Sequence, residues 1–208
     1  MILSVIAVIV IAYLLGNLNG AIFTSRYFAH EDVRQKGSGN AGLTNFVRNY
    51  GVGKALFVIV LDVGKTVAAC LLGGALLQPY GYQTEGTVLG ALLVSLGHDF
   101  PVFFGFKGGK GIVCGATIAA VLDMPVFLIL VVIFFACFFI TRFVSLSSIL
   151  VSASFGICFV VRFWGNLPLQ IGTAVIGIFA IWMHRENIKR LLSGTERKFS
   201  FGSKENKK

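Results

Sequence analysis

The sequence predicts an all-α integral membrane protein with seven transmembrane helices, its N-terminus outside and its C-terminus in the cytoplasm. Three observations carry this expectation. Of the 208 residues, 56% are hydrophobic and only 13% charged, whereas an ordinary soluble domain is about 45–50% apolar and about 25% charged. The charges gather between long apolar runs instead of alternating with them. The basic residues then fall almost wholly on one side of alternate runs. This composition excludes a conventional soluble enzyme, a disordered tail and a small disulfide scaffold.

A membrane-crossing helix needs about 20 mostly apolar residues. Residues 1–23 hold no charge; lacking a cationic start and exceeding a signal-peptide core, they read as a retained first span. Residues 54–78 form the second, with Asp62 and Lys65 inside it. Charges at such depth are costly, so the two are expected to pair, and the favoured role is bracing the bundle. The third and fourth, residues 84–104 and 111–123, are short between their charges: 13 residues separate Glu85 from Asp99 and 12 separate Lys110 from Asp123. A 12-residue helix covers about 18 Å of a core about 30 Å thick. These two either extend past their flanking charges or dip in as a re-entrant pair. The fifth, sixth and seventh are residues 124–141, 143–163 and 167–184. Residues 185–208 form a basic tail, with disorder expected beyond Gly202. The whole chain reads as one membrane-embedded domain.

Orientation follows from the cations. Sixteen of the 18 Lys and Arg follow spans one, three, five and seven; Arg162 lies on the other side and Lys65 within a span. The positive-inside rule places that basic side in the cytoplasm. A net charge of +9 on so apolar a chain points to anionic headgroups or phosphorylated substrates before nucleic acid. The four cysteines, Cys70, Cys114, Cys137 and Cys158, sit singly in apolar runs, and no ligand spacing supports a metal site or a cofactor.

Polar residues cluster on the basic side. The first loop runs Gly37, Ser38, Gly39, Asn40, Ala41, Gly42, Leu43, Thr44, Asn45 and on to Arg48. It matches G-x-G-x-x-G formally, but a dinucleotide fold needs a strand and a βαβ unit around it. What survives is physical: glycines let backbone N–H groups approach an anion, Ser38, Thr44 and Asn45 add neutral hydrogen bonds, and Arg48 offers a fork for phosphate. A second cluster runs from His98 through Lys107, Gly108, Gly109, Lys110 and Gly111. Gly111 stands where a Walker loop needs Ser or Thr, yet two lysines among glycines still suit phosphate. Arg142 with Ser145 and Ser148 opens span six, the serines sharing a face at i,i+3; taken alone, such serines more often bond a backbone carbonyl. His184 and Asn187 share a face where span seven ends.

Together GSGNAGLTNFVR (Gly37–Arg48), GHDFPVFFGFKGGKG (Gly97–Gly111), RFVSLSS (Arg142–Ser148) and HRENIKRLLSGTE (His184–Glu196) resemble the bacterial acyl-phosphate:glycerol-3-phosphate acyltransferases of the PlsY type. Four motifs in order cover nearly the whole chain. The departures are Ala41, Leu43 and Thr66, none of them an expected site residue.

The resemblance implies a multi-pass enzyme of the bacterial inner membrane that moves a fatty acyl group from acyl phosphate to the 1-hydroxyl of glycerol 3-phosphate. Lysophosphatidic acid and phosphate would leave, in the first step of phospholipid synthesis. It implies catalytic roles for Ser38, Lys110, His184 and Asn187. It implies substrate binding by Gly37, Gly39, Asn40, Thr44, Asn45, Arg48, His98, Lys107, Gly108, Gly109, Ser145 and Ser148. The expected partners are the two substrates and membrane lipids, with no nucleic acid, no obligate protein partner and no cofactor. The mixed anhydride is already activated, so the site need only orient the reactants, stabilise an oxyanion and remove one proton. His184 or the acceptor's own phosphate would take that proton. No histidine–acid pair can be assigned to Ser38, so direct transfer is expected rather than an acyl-serine. A transporter or channel for an organic phosphate is the competing reading, since it would use the same cationic loops.

Overall fold

A computed structural model describes residues 1–199; the expectation for the tail beyond Gly202 falls outside the described residues. Among them the regular structure is helical: α1 (Ile2–Gly16), α2 (Gly20–Ala29), α3 (Leu43–Tyr50), α4 (Val52–Leu77), α5 (Gln83–Asp99), α6 (Ile112–Leu122), α7 (Met124–Thr141), α8 (Val144–Arg162), α9 (Leu167–Met183) and α10 (Arg185–Leu192). By length and apolar composition Ile2–Ala29, Val52–Tyr80, Gln83–Phe104, Met124–Thr141 and Val144–Arg162 are long enough to cross a membrane. α9 with α10, bent by 53°, makes a sixth candidate. The third run takes in both its flanking charges: α5 begins two residues before Glu85 and ends on Asp99. The fourth stays short, with 11 residues in α6. The chain before it doubles back on the end of α5, the N–H groups of Gly108 and Gly109 donating to the carbonyls of Asp99 and His98 at 3.1 Å each. α6 therefore starts from inside the bundle.

α4 and α5 pack closest, with α1 laid against α5. Small residues make that approach possible. A Cβ on Gly97 would run into the Tyr13 carbonyl and stand 2.9 Å from the Gly16 Cα, so the α1–α5 crossing admits nothing larger. At one end of the bundle Arg162 pairs with Asp123 at 2.6 Å and Asn166 donates to Glu85 at 3.0 Å. The other end is basic and carries the loops, α3 and α10.

The first apolar run continues to Ala29 with a break at residues 17–19. A broken helix leaves backbone groups without partners, which hydrocarbon cannot satisfy. Asp62 and Lys65 repair this break. The Lys65 ammonium donates to Gly16 O at 3.2 Å and Leu18 O at 2.9 Å, and Asp62 accepts the Gly20 N–H at 3.1 Å. The two side chains pair at 2.7 Å, and His98 joins them with Nδ1 2.8 Å from the ammonium.

Candidate functional site

The first loop is built around Asn45, in the first turn of α3 and buried. Its Oδ1 accepts the Ser38 N–H at 3.0 Å. Its Nδ2 donates to Val33 O, Lys36 O and Asn40 O at 3.0–3.1 Å. Every polar atom of this amide is thus spent on the loop, which leaves Ser38 exposed at its crest and Thr44 half-buried beside it. Gly37 and Gly39 supply the positive φ values of 59° and 71° that the turn requires. Losing a buried hydrogen-bond centre costs about 1–3 kcal/mol. Asn45→Ala should therefore loosen residues 36–42, read as faster limited proteolysis there at unchanged total helix content.

The second loop lies against the first. The Ala41 N–H donates to Gly108 O at 3.4 Å, and Asn19 Nδ2 donates to Ala41 O at 3.1 Å. Arg34, held by Asp32 at 2.8 Å, reaches across to Phe104 O at 2.7 Å and Lys107 O at 3.0 Å. Gly109 is buried where a Cβ would strike the His98 ring and stand 3.0 Å from Ala41 O. The glycine is required for the loops to touch. Lys107 stays exposed on an open groove of about 720 Å³ that it shares with Arg26, Arg34 and Gly39.

Lys110 turns inward from this loop and meets the C-terminal elements. Its ammonium donates to Asn187 Oδ1. Asn187 Nδ2 donates in turn to Glu196 at 2.8 Å, and Arg190 donates to the same carboxylate at 2.7 Å. The buried Ser145 hydroxyl faces that carboxylate, whose charge also acts on Arg48 and Lys110. Lys110, Ser145, Asn187 and Arg190 thereby gather around one carboxylate whose field also reaches Arg48, and three separate polar clusters come near one another. Burial, reinforced by Arg190, pushes the Lys110 ammonium down to about 8. His184 Nδ1 lies 2.8 Å from Ala180 O. A carbonyl can only accept, so Nδ1 carries the proton and Nε2 is the basic nitrogen of the neutral ring.

Some expected site residues lie elsewhere. Ser148 Oγ donates to Val144 O at 2.9 Å, within its own helix. His98 is buried in the Asp62–Lys65 cluster, behind Gly109. Asn40 sits on the first loop and gives its carbonyl to Asn45. Sequence reasoning does not select Glu196 and Arg190, which centre the cluster, Arg34, which joins the loops, or Asn19, which ties the first loop to the break in the first span. An acid nine positions beyond Asn187, directly before Arg197 and Lys198, is the available signal for Glu196. Asp62, His98 and Cys114 bring ligand atoms within 4.8 Å of one another. The Lys65 ammonium already lies against Asp62 and His98, so a cation there would meet a like charge.

Residues 6–194 match the family model for glycerol-3-phosphate acyltransferase. The chain belongs to the glycerol-3-phosphate acyltransferase family. Glycerol-3-phosphate acyltransferases of Thermoanaerobacter sp. (strain X514) and Macrococcus caseolyticus are 38% and 37% identical, over 91% and 96% of this chain and 92% and 99% of theirs. The fold is similar to crystal structures of PlsY (YgiH), an integral membrane glycerol 3-phosphate acyltransferase. Its glycerol 3-phosphate form gives a TM-score of 0.83 at 33% identity, over 95% of this chain and 96% of that one. Its lysophosphatidic acid form gives 0.81 at 32%, with the same coverage. This chain is accordingly an all-helical membrane enzyme of the glycerol-3-phosphate acyltransferase family, as its motifs led us to expect.

Proposed function

We propose that the enzyme transfers a fatty acyl group from acyl phosphate to the 1-hydroxyl of glycerol 3-phosphate, releasing lysophosphatidic acid and phosphate. In this reading it crosses the bacterial inner membrane seven times, with the N-terminus outside and the site facing the cytoplasm. The single observation that carries the reading is the Lys110–Asn187 hydrogen bond inside a cluster of cations. It joins a charged donor to a neutral amide at a half-buried position, suited to an anionic oxygen that develops at an acyl carbonyl. Glycerol 3-phosphate and lysophosphatidic acid, present in the related PlsY structures, fit the same chemistry.

Both substrates carry phosphate, so the site needs several cations and N–H donors. Arg48, Lys107 and the two glycine loops bind the phosphates. Lys110 and Asn187 polarise the carbonyl or hold the leaving group. The acceptor hydroxyl attacks the carbonyl carbon and the bond to phosphate breaks. The hydroxyl proton goes to His184 Nε2 or to the acceptor's phosphate, and the departing phosphate carries away the negative charge. Ser38 orients the reactants from the loop crest, and Asn45 and Ser148 hold backbone in place.

Two measurements test this mechanism. Incubation with acyl-labelled acyl phosphate and no acceptor should leave no acid-stable label on the protein; a stoichiometric acyl-protein would overturn direct transfer. The Lys110 ammonium is lost as pH rises through about 8, so kcat/KM should fall above that pH. Lys110→Arg keeps its charge to far higher pH and should move the alkaline limb upward, even at a lower maximal rate. An unchanged limb in that variant would assign it to another group.

A further inference from the structure

The groove of about 720 Å³ beside Lys107 is walled by the end of α2, the turn after it and the loop after α5. It therefore lies where the candidate spans Ile2–Ala29 and Gln83–Phe104 finish at the basic end. Lys110, Asn187, Arg190 and Glu196 take no part in its walls. Three cations and one carboxylate do. Asp32 holds both guanidiniums, Arg26 at 3.0 Å and Arg34 at 2.8 Å. Both also lie over the Phe104 ring, 5.1 and 5.7 Å from its centroid. Arg34 is committed to the protein, donating to Asp32 through Nε and Nη2 and to Phe104 O and Lys107 O through Nη1. Arg26 makes one such bond, to Asp32, and its side chain is 53% exposed. The exposed Lys107 ammonium pairs with no carboxylate among the described residues. Arg26 and Lys107 thus bring unused donors to the groove.

The rim is aromatic. Phe103, which lines the groove, is exposed, as are Phe106 next to Lys107 and Phe23 and Tyr27 on α2. Exposed aromatic rings at the end of a span belong to a membrane–water interface, where basic pockets between spans take lipid phosphates. We propose that this groove seats the headgroup of an anionic phospholipid from the leaflet on the basic side. Arg26 and Lys107 hold its phosphate, Arg34 adds charge, and the ester chains leave over the aromatic rim. A soluble phosphate ester would use the cations but gain nothing from the exposed rings. Lys107 is also given to substrate phosphates above; Arg26 is not, so Arg26 separates the two uses.

Native mass spectrometry of the full chain in a neutral detergent, titrated with phosphatidylglycerol or phosphatidylcholine, tests this. Acyl transfer is not the readout, so the result stands apart from the donor reading. The wild type should prefer phosphatidylglycerol by about tenfold, and Arg26→Gln should lose most of that preference, the effect of one charge-assisted hydrogen bond. Arg34 still holds Asp32 in that variant, so the fold should persist. If it does not purify, Lys107→Gln decides, with the same loss expected. Lys54→Gln removes a cation at the start of α4, outside the groove, and should leave the preference unchanged. An equal loss in Lys54→Gln would mean diffuse attraction and overturn the proposal. So would a loss in Lys110→Met with none in Arg26→Gln, which would place the lipid in the Lys110–Asn187 cluster. Displacement of the lipid by inorganic phosphate at matched ionic strength would give the groove to a soluble phosphate instead, and a wild type without preference would leave no lipid seat at all.

Discussion

Lys110→Met should lower kcat/KM for acyl transfer by about 10²–10³-fold, the cost of removing one preorganised donor to a developing oxyanion. The protein should still fold, since the ammonium braces no backbone group: its hydrogen bond goes to the Asn187 amide. Asn187 keeps its second bond, to Glu196 at 2.8 Å, so the cluster should keep its shape with one charge missing. The check pairs steady-state kinetics with a thermal melt of the same detergent-purified sample. Loss of activity at an unchanged melting temperature is the predicted result. A rate within threefold of wild type would remove Lys110 from the chemistry.

Lys65→Met should act oppositely, on stability first. It strips the donor from Gly16 O and Leu18 O and leaves Asp62 buried with its charge partner gone. Breaking a buried pair from one side costs about 3–5 kcal/mol. The hydrocarbon around the break offers no water to replace those bonds. The double change Asp62→Asn with Lys65→Met should cost less than the single one, because no unpaired charge remains. Denaturant titrations in detergent at neutral pH measure both. A single variant within about 1 kcal/mol of wild type would mean the break in the first span is satisfied by other groups.

Much of this was legible in the residues. Long charge-free runs can only be helices in hydrocarbon, so the positions of α7, α8 and α9 follow from charge spacing alone. The four polar motifs point to segments that the fold brings near one another, because glycines among lysines and a His–Asn face have few uses at a membrane surface. The roles inside those segments were harder to see. Asn45 reads as a ligand donor on a loop, yet its amide closes the loop on itself, a tertiary arrangement that spacing does not encode. His98 sits within a motif but turns into the bundle, because the doubled-back Gly108–Gly109 segment covers it. Glu196 stayed hidden for a related reason. Its place comes from the turn after α10, where Gly194 takes a positive φ and the Thr195 and Glu196 N–H groups donate back to Arg190 O, returning the chain to Asn187. The short fourth run is ambiguous by length in the sequence, and in the fold it stays short, 11 residues in α6 behind a loop that doubles back on α5.

The most direct measurement of the central claim uses purified protein in liposomes with labelled glycerol 3-phosphate. Acyl phosphate, acyl-CoA and acyl-carrier protein are offered separately, and lysophosphatidic acid is followed. Product from acyl phosphate alone is the result predicted here. Product from a thioester instead would keep the acyltransferase and contradict the donor. No product from any donor, with glycerol 3-phosphate accumulating inside the liposomes, would contradict the account and make the protein a transporter.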